Sequence, residues 1–508
     1  MAISGIINTN TSALNTLNAL NSTQGSLNTY LQQLSTGKSI NGPQDNPAGY
    51  AIAQRFQTQI NGLNQAVSNG NQGVSLIQTA TGAIQNQTSL LQQVRTTAVQ
   101  AANASNTTSD RQALQGVVSQ LLAQVQTIAT QTQFNGQNIL DGTFAGAAFQ
   151  VGANSNQIIN VAVGNTQTSA MGNYSATTAG STYTSSGSYV QGGYAPGGAF
   201  TYSAGGGNFT SGAFDIAGSA GSAAVNVTSS AESAANIAAS VNAVTAQTGV
   251  SAQAYNSVSF AVTGGTFSFT LSNGTSGNPT NTVNISADVT NGSNGTPDLS
   301  ALVTAINNQA AVTGTSASTQ VVNGQTRLVL TNANGNNILV SGFAGTGSLD
   351  ALGSGGATVG TLSSGSGSNV ALFQGAVQFQ SSSSYSLSGG GNIGFSSGAA
   401  SLTGSAVSSI NVSTAAGAQQ AISIIDQAIN YLNQQNGALG ATQNRVQASV
   451  SNDQTTATNL QSAQSTVQDA NIAQATSQLT KYQILQQAGI STLAQENSLQ
   501  QSYLKLLP

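Results

Sequence analysis

The 508-residue chain has no cysteine, no histidine and no tryptophan. Without cysteine there can be no disulfide and no thiolate nucleophile, and the redox compartment leaves no trace in the sequence. Without histidine, the commonest general base and the commonest metal ligand are both missing. Charge is scarce as well. Asp, Glu, Lys and Arg make up 4% of the residues, against ~25% in an ordinary soluble protein. The 8 basic and 12 acidic residues give a net charge of −4. No basic cluster is present to displace counterions, which excludes nucleic-acid binding. The carboxylates are scattered, and no close pair offers an acid/base dyad. The glycine stretches lack the lysine-bearing phosphate loop. An enzyme is therefore not expected, and neither is a cofactor or metal. No run of ~20 apolar residues predicts a transmembrane helix or membrane insertion. "MAISGIINTN" lacks the basic n-region of a cleaved secretory signal, so export would use a route without one.

What the sequence does have is periodicity at both ends. Ala13, Leu20, Leu27 and Leu34 recur every seven residues, with Leu17, Gln24 and Leu31 interleaved. This is the 3-4 alternation of a coiled-coil seam. Gly37 and "NGP" at 41–43 end the segment. Asn46 then suits an N-cap and Pro47 a first helical position. From there Phe56, Leu63, Gly70, Ile77, Ile84, Leu91 and Ala98 keep a seven-residue phase, with Ile60, Val67 and Val74 as companions. A third helix is expected from a Ser109 cap through Leu114, Val118, Leu121, Val125 and Ile128. Asn135-Gly136 then predicts a tight hairpin turn before the strand-like "AAFQVGA".

The C-terminal part mirrors the N-terminal part. Ile425, Leu432, Leu439, Val446, Leu460 and Val467 share one phase, broken only by Asp453. An ordinary helical-bundle core would also show such spacing, but registers this long favour helices packed lengthwise. In the last segment Leu485, Leu493, Leu499, Tyr503 and Leu507 fall close to one helical face, interrupted in charge only by Glu496 and Lys505. That stripe requires burial against a partner.

Between about 165 and 408, Gly, Ser, Thr, Asn and Ala dominate. Strand patterns such as "YNSVSFAV" and "GTFSFTLS" argue against a disordered linker. "ANIAASVNAVTAQTGVSA" (235–252) also aligns with "SALVTAINNQAAVTGTSA" (300–317) at a constant offset of 65. Ile237, Ala238 and Val241 match Leu302, Val303 and Ile306, and Thr-Gly closes each helix. Two small β/α modules are expected, about 210–265 and 280–345. The fold class is thus α+β and multidomain, with long paired helical ends around a mainly β middle.

The ends resemble bacterial flagellin. The resemblance is carried by "LQQLSTGKSINGPQDNPAGYAIAQRF", "VRTTAVQAAN", "QTQFNGQNILDG" and "FQVGAN" in the first part. In the last part it is carried by "AISIIDQAINYLNQQNGALGATQNRV" and "QILQQAGISTLAQENSLQQSYLKLL". It covers about 1–165 and 405–508, roughly half the chain. It implies an inner coiled-coil domain (1–45 with 460–508), a helical core domain with a β-hairpin (46–165 with 405–459) and a variable exposed region (166–404). It also implies a helical homopolymer forming the extracellular flagellar filament, secreted unfolded by the flagellar type III apparatus. An export chaperone, a filament cap and hook-junction proteins are the implied partners. Leu17, Leu20, Leu27, Leu31 and Leu34 with Leu485, Leu493, Leu499, Tyr503 and Leu507 would then drive polymerisation. Phe56, Leu63, Ile77, Ile84, Leu91, Ile425, Leu432, Leu439 and Val446 would form the bundle core.

Flagellins recognised by the innate immune receptor typically carry a basic-Val-Arg-Glu-Leu run. Here the matching stretch is Gln93-Val94-Arg95-Thr96-Thr97. It lacks one basic residue, the Glu and the Leu, which implies weak or absent receptor activation. A hook–filament junction protein shares related helical ends and is the near alternative; a secreted adhesin is a more distant one, and has no need of seven-residue seams at both termini. The low charge fits either drift in an already solvated surface or adaptation to acidic surroundings. The family analogy and the Ser/Thr-rich middle make O-linked glycans an open expectation.

Overall fold

The computed structural model describes residues 9–144, 146–177, 181–184, 189–191, 211–228, 232–274, 279–292, 295–322, 324–352, 358–364, 370–389, 398–399 and 405–504. The helices, in chain order, are α1 (Thr11–Thr36), α2 (Pro47–Ala102), α3 (Thr108–Gln131), α4 (Ala234–Ala243), α5 (Thr245–Thr248), α6 (Ser300–Asn307), α7 (Ala310–Thr313), α8 (Ala415–Gln468) and α9 (Ile472–Leu504). Two compact units emerge. One comprises Met1–Gln78, Gly146–Val161 and Gly440–Pro508; the other comprises Thr79–Ala145 and Ala162–Leu439.

In the first unit α1 stops at Gly37, whose left-handed φ of 71° a Cβ would oppose. The chain then crosses the break between α8 and α9. Ser39 N–H donates to the Gln468 carbonyl at 2.7 Å, Ala470 N–H to that of Gly37 at 2.9 Å, and the Gln468 amide to the Ile40 carbonyl at 3.2 Å. α2 begins as expected, with the Asn46 side chain accepting from Gly49 N–H at 3.0 Å. The hairpin Ala147–Gln150/Ile158–Val161 lies over the helices. There Val151, Ile159, Val446 and Val450 form a buried cluster, with Val67, Val74 and Phe149 against it. Gly70 sits in the apolar phase because a Cβ there would run into the Val450 side chain.

In the second unit the cap of α3 lies two residues earlier than the expected Ser109. Thr107 caps it, accepting from Asp110 N–H at 3.2 Å, while Asp110 accepts from Thr107 N–H at 2.9 Å. This reciprocal capping box satisfies two helix-end donors that Ser109 could not reach. Asn135 (φ 50°) and Gly136 (φ 77°) make the tight turn between Gln133–Phe134 and Gln137–Asn138. Ile84, Leu91, Val94, Val118, Val125, Ile425 and Leu432 are fully buried.

The middle strands pair antiparallel. One sheet runs Thr315–Val322, Gln325–Asn332, Ser251–Val262, Ser348–Leu352, Thr358–Ser363, and a second runs Val283–Val289, Gly265–Ser272, Ile338–Gly345, Val370–Phe373, Ser181–Thr184, Tyr189–Gln191. One buried cluster, with Phe260 edge-on to Phe373 at 5.2 Å, draws on both sheets. A smaller cluster gathers Phe214, Ile237, Val241 and Phe379.

The repeat is structural as well as sequential. In each copy a hairpin leads to a helix, a four-residue helical turn, a left-handed Gly (Gly249 φ 72°, Gly314 φ 66°) and a strand. Asn242 accepts from Ala252 N–H and donates to its carbonyl, both at 2.8 Å. Asn307 does the same with Ala317 at 2.7 and 2.9 Å. Each amide imitates a strand neighbour and fixes where the helix meets its sheet. The "SGSGS" stretch lies almost wholly outside the described residues, whereas Ser386–Ser388 within "SSSSYSLSGGG" is a short strand.

Candidate assembly surface

α1 and α9 pack antiparallel. Tyr30 stacks on Tyr482 with ring centroids 5.5 Å apart. The Thr16 hydroxyl donates to Glu496 at 2.9 Å, Gln486 donates to Gln24, and Gly489 lies against Leu20. On α1 the residues turned inward are Ala13, Thr16, Leu20, Thr23, Leu27, Tyr30 and Leu34. On α9 they are Ala475, Leu479, Tyr482, Gln486, Gly489, Leu493, Glu496 and Gln500. Both sets keep the 3-4 alternation of a coiled-coil seam.

This placement corrects the interleaved set read from the sequence. Leu17 and Leu31 lie outside the seam, 42% and 43% exposed, and Thr16, Thr23 and Tyr30 take their places. On α9 the leucine stripe is rotated by roughly 45° from the seam at 100° per residue. Only Leu493 belongs to both, while Leu485 and Leu499 flank the seam and stay about half exposed. Ile484 and Ile490 are exposed as well. Leu507 and the Tyr503 side chain lie outside what the structure describes. The face of α9 turned to α1 thus mixes Leu479, Tyr482 and Leu493 with Ala475, Gln486, Gly489 and Glu496, while Ile484, Leu485, Ile490 and Leu499 point outward.

The expected core positions Leu63, Ile77, Ile84, Leu91, Ile425, Leu432, Leu439 and Val446 are buried, and Phe56 is partly buried. Glutamines that no periodicity singled out do much of the local fixing. The buried Gln87 donates to the Val125 and Thr166 carbonyls at 3.1 and 3.4 Å. Gln126 accepts from Thr168 N–H at 2.9 Å, and Gln115 from Val412 N–H at 2.6 Å. Together they tie the chain leaving the helices near 166 and returning near 412 to α2 and α3.

In the stretch 93–97, Val94 is fully buried and Gln93 is exposed. Arg95 is engaged by the Asp426 carboxylate, with Nε–Oδ1 at 2.6 Å and Nη2–Oδ2 at 3.3 Å. That hydrogen bond, then the charge of Asp426, raises the Arg95 pKa. The hydroxyls of Thr96 and Thr97 turn back to the carbonyls of Gln92 and Gln93. Two other carboxylates, Asp110 and Asp141, serve local turns. The Thr107 hydrogen bonds lower the Asp110 pKa, and those of Thr143 lower that of Asp141. Among the described residues no group of three acidic side chains could hold a metal ion, and no helix is long and apolar enough to cross a membrane.

Residues 7–145 match the bacterial flagellin N-terminal helical region, and residues 422–507 match the C-terminal helical region. The B-type flagellin of Pseudomonas aeruginosa is 35% identical over 512 residues, covering 99% of both chains. Flagellin B of Vibrio cholerae serotype O1 is 28% identical over 503 residues, again covering 99% of both. Among solved structures, FliC from Burkholderia pseudomallei aligns with a TM-score of 0.30 and 22% identity, over 73% of this chain and 99% of that one. A relative at 35% identity that spans both helical ends and the middle establishes that this chain belongs to the bacterial flagellin family.

Proposed function

We infer that this protein is the structural subunit of the bacterial flagellar filament, an extracellular homopolymer serving motility and not catalysis. The observation that carries this reading is the α1–α9 pair, whose mixed apolar and polar seam leaves Leu17, Leu31, Leu485 and Leu499 facing outward. Burying a leucine side chain contributes ~1.5–3 kcal/mol, so neighbouring subunits that cover these groups gain enough to offset the ordering of long helices. Contacts of this head-to-tail kind, repeated without closing a ring, build an open helix. The hook–filament junction reading is weaker, because the relatives matched along the whole chain are flagellins.

Several finer statements belong to the same proposal. Residues 1–45 with 460–508 form the inner domain, 46–165 with 405–459 the helical core domain, and 166–404 the displayed region. Leu20, Leu27, Leu34 and Leu493 hold the helices together, and Tyr503 and Leu507 are assigned to polymerisation with them. Phe56, Leu63, Ile77, Ile84, Leu91, Ile425, Leu432, Leu439 and Val446 fill the helical core. The chain leaves the cell unfolded through the flagellar type III apparatus, and an export chaperone, a filament cap and hook-junction proteins are its partners. Electron microscopy of the purified protein tests the central claim. The full chain is expected to form long filaments, and a chain lacking 485–508 to stay soluble and unpolymerised; normal filaments from the truncated chain would overturn it.

A further inference from the structure

Asp453 occupies the apolar seven-residue phase of α8 and is only 7% exposed. Its Oδ2 is buried without a hydrogen-bond partner. The Val450–Gly70 contact and the hydrogen bond of Gln464 to Gln57 set an antiparallel register with α2. In that register Asp453 lies opposite Leu63–Val67, where Leu63 and Ala66 are buried.

Among the described residues of this unit, no cation pairs with Asp453. Within Pro47–Gln78 of α2 the ionisable residues are Tyr50 and Arg55, on the hairpin between 147 and 161 there are none, and on α8 from Gly440 to Gln468 only Arg445 remains. Arg445 is exposed and eight residues away, about 12 Å along the helix. Arg55 faces the stretch near 465, roughly 18 Å along the axis from Asp453. On α1 and α9, Tyr30, Tyr482 and Glu496 are taken up by the α1–α9 pairing, and Lys481 lies over the Tyr482 ring.

We propose that Asp453 is a proton-operated lock in the α2–α8 seam. Protonated, it fills its apolar position as a neutral side chain; ionised, it weakens the seam around it. Burial without a partner penalises the charged form and pushes its pKa above the ordinary carboxylate value. A group raised in the folded state contributes its stability when protonated. That contribution is complete below the unfolded pKa and is lost as pH rises through the raised folded value. The seam is therefore firmer in acid than at neutrality, opposite in sign to the carboxylate caps of Asp110 and Asp141.

The inference concerns the folded subunit and stands apart from its assembly. It is tested on the full chain kept monomeric, by amide hydrogen exchange of peptides covering 446–460 between pH 4.5 and 7.5, corrected for intrinsic exchange. In the unmodified protein, protection of this segment is expected to fall as pH rises. Asp453→Asn, neutral at every pH, is expected to lose that slope. Asp453→Leu, which restores the apolar phase, is expected to lose the slope and to be the best protected at pH 7.5. The lock is overturned if Asp453→Asn keeps the slope of the unmodified protein, or if protection there rises with pH.

Discussion

Replacing Ile484, Leu485, Ile490 and Leu499 together by serine separates assembly from folding. These side chains are 61%, 43%, 53% and 50% exposed in the subunit, so about half of each remains to be buried by a neighbour. At ~1.5–3 kcal/mol for full burial, half of each side chain is worth ~0.75–1.5 kcal/mol. Four of them sum to ~3–6 kcal/mol per subunit added. Because ~1.4 kcal/mol is a factor of ten, the critical concentration for polymerisation should rise by roughly two to four decades. The α1–α9 seam uses none of these four residues, so helicity by circular dichroism should be unchanged. Leu493→Ser is the contrasting variant: it removes a seam residue and should loosen α9 in the monomer. Sedimentation of seeded filaments over a concentration series measures the threshold. If the quadruple variant polymerised at the concentration of the unmodified protein, the outward residues would not be assembly contacts.

Three further outcomes follow from individual contacts. Asn307→Ala removes two hydrogen bonds at the junction of α6 with its strand, which at ~0.5–1.5 kcal/mol each amounts to ~1–3 kcal/mol in a denaturant midpoint of the middle region. Asn242→Ala should cost the same within error, since the two amides make the same contacts; a difference of several-fold would show that the modules are not equivalent. The first turn of α3 should open in acid. The Asp110 pKa is lowered by Thr107, so its contribution is present above the ordinary value of ~4 and is lost as pH falls through the folded value. Exchange of the amides at 107–112 reads this, and Thr107→Ala should abolish the dependence. In reporter cells for the innate flagellin receptor the protein should be weak or silent, because Val94 is buried and Arg95 is held by Asp426; a response matching a strongly stimulatory flagellin would refute that.

Much of this architecture was legible because it rests on local rules. The Asn46-Pro47 helix start, the Asn135-Gly136 turn and the two Thr-Gly helix ends need only a few adjacent residues, and each is found where the sequence puts it. The duplicated modules were visible for the same reason, since one offset carries the helix face and the closing glycine. The glutamine ties were not legible. Gln87, Gln115 and Gln126 look like surface residues in a chain crowded with glutamine, and their partners lie as far away as Val412. An amide that satisfies distant backbone groups leaves no period behind.

The terminal helix shows the limit most clearly. Heptad spacing identifies a face that must be buried, but it does not say which of two partners buries it. α9 has an inner partner, α1, and outer ones in the polymer. Its leucine stripe requires burial, and spacing alone does not divide that burial between α1 and neighbouring subunits. Close approach to α1 instead uses Gly489, where a Cβ would sit 3.4 Å from Leu20, and the paired Gln24 and Gln486. These small and polar groups fix the register of a seam that also holds Leu20, Leu27, Leu34, Leu479 and Leu493, while other leucines of both helices face outward. The same division explains why the seam on α1 retains Thr16 and Thr23 while Leu17 and Leu31 face outward. In a subunit whose task is to polymerise, apolar residues are divided between a seam already closed in the monomer and outward faces available to neighbouring subunits.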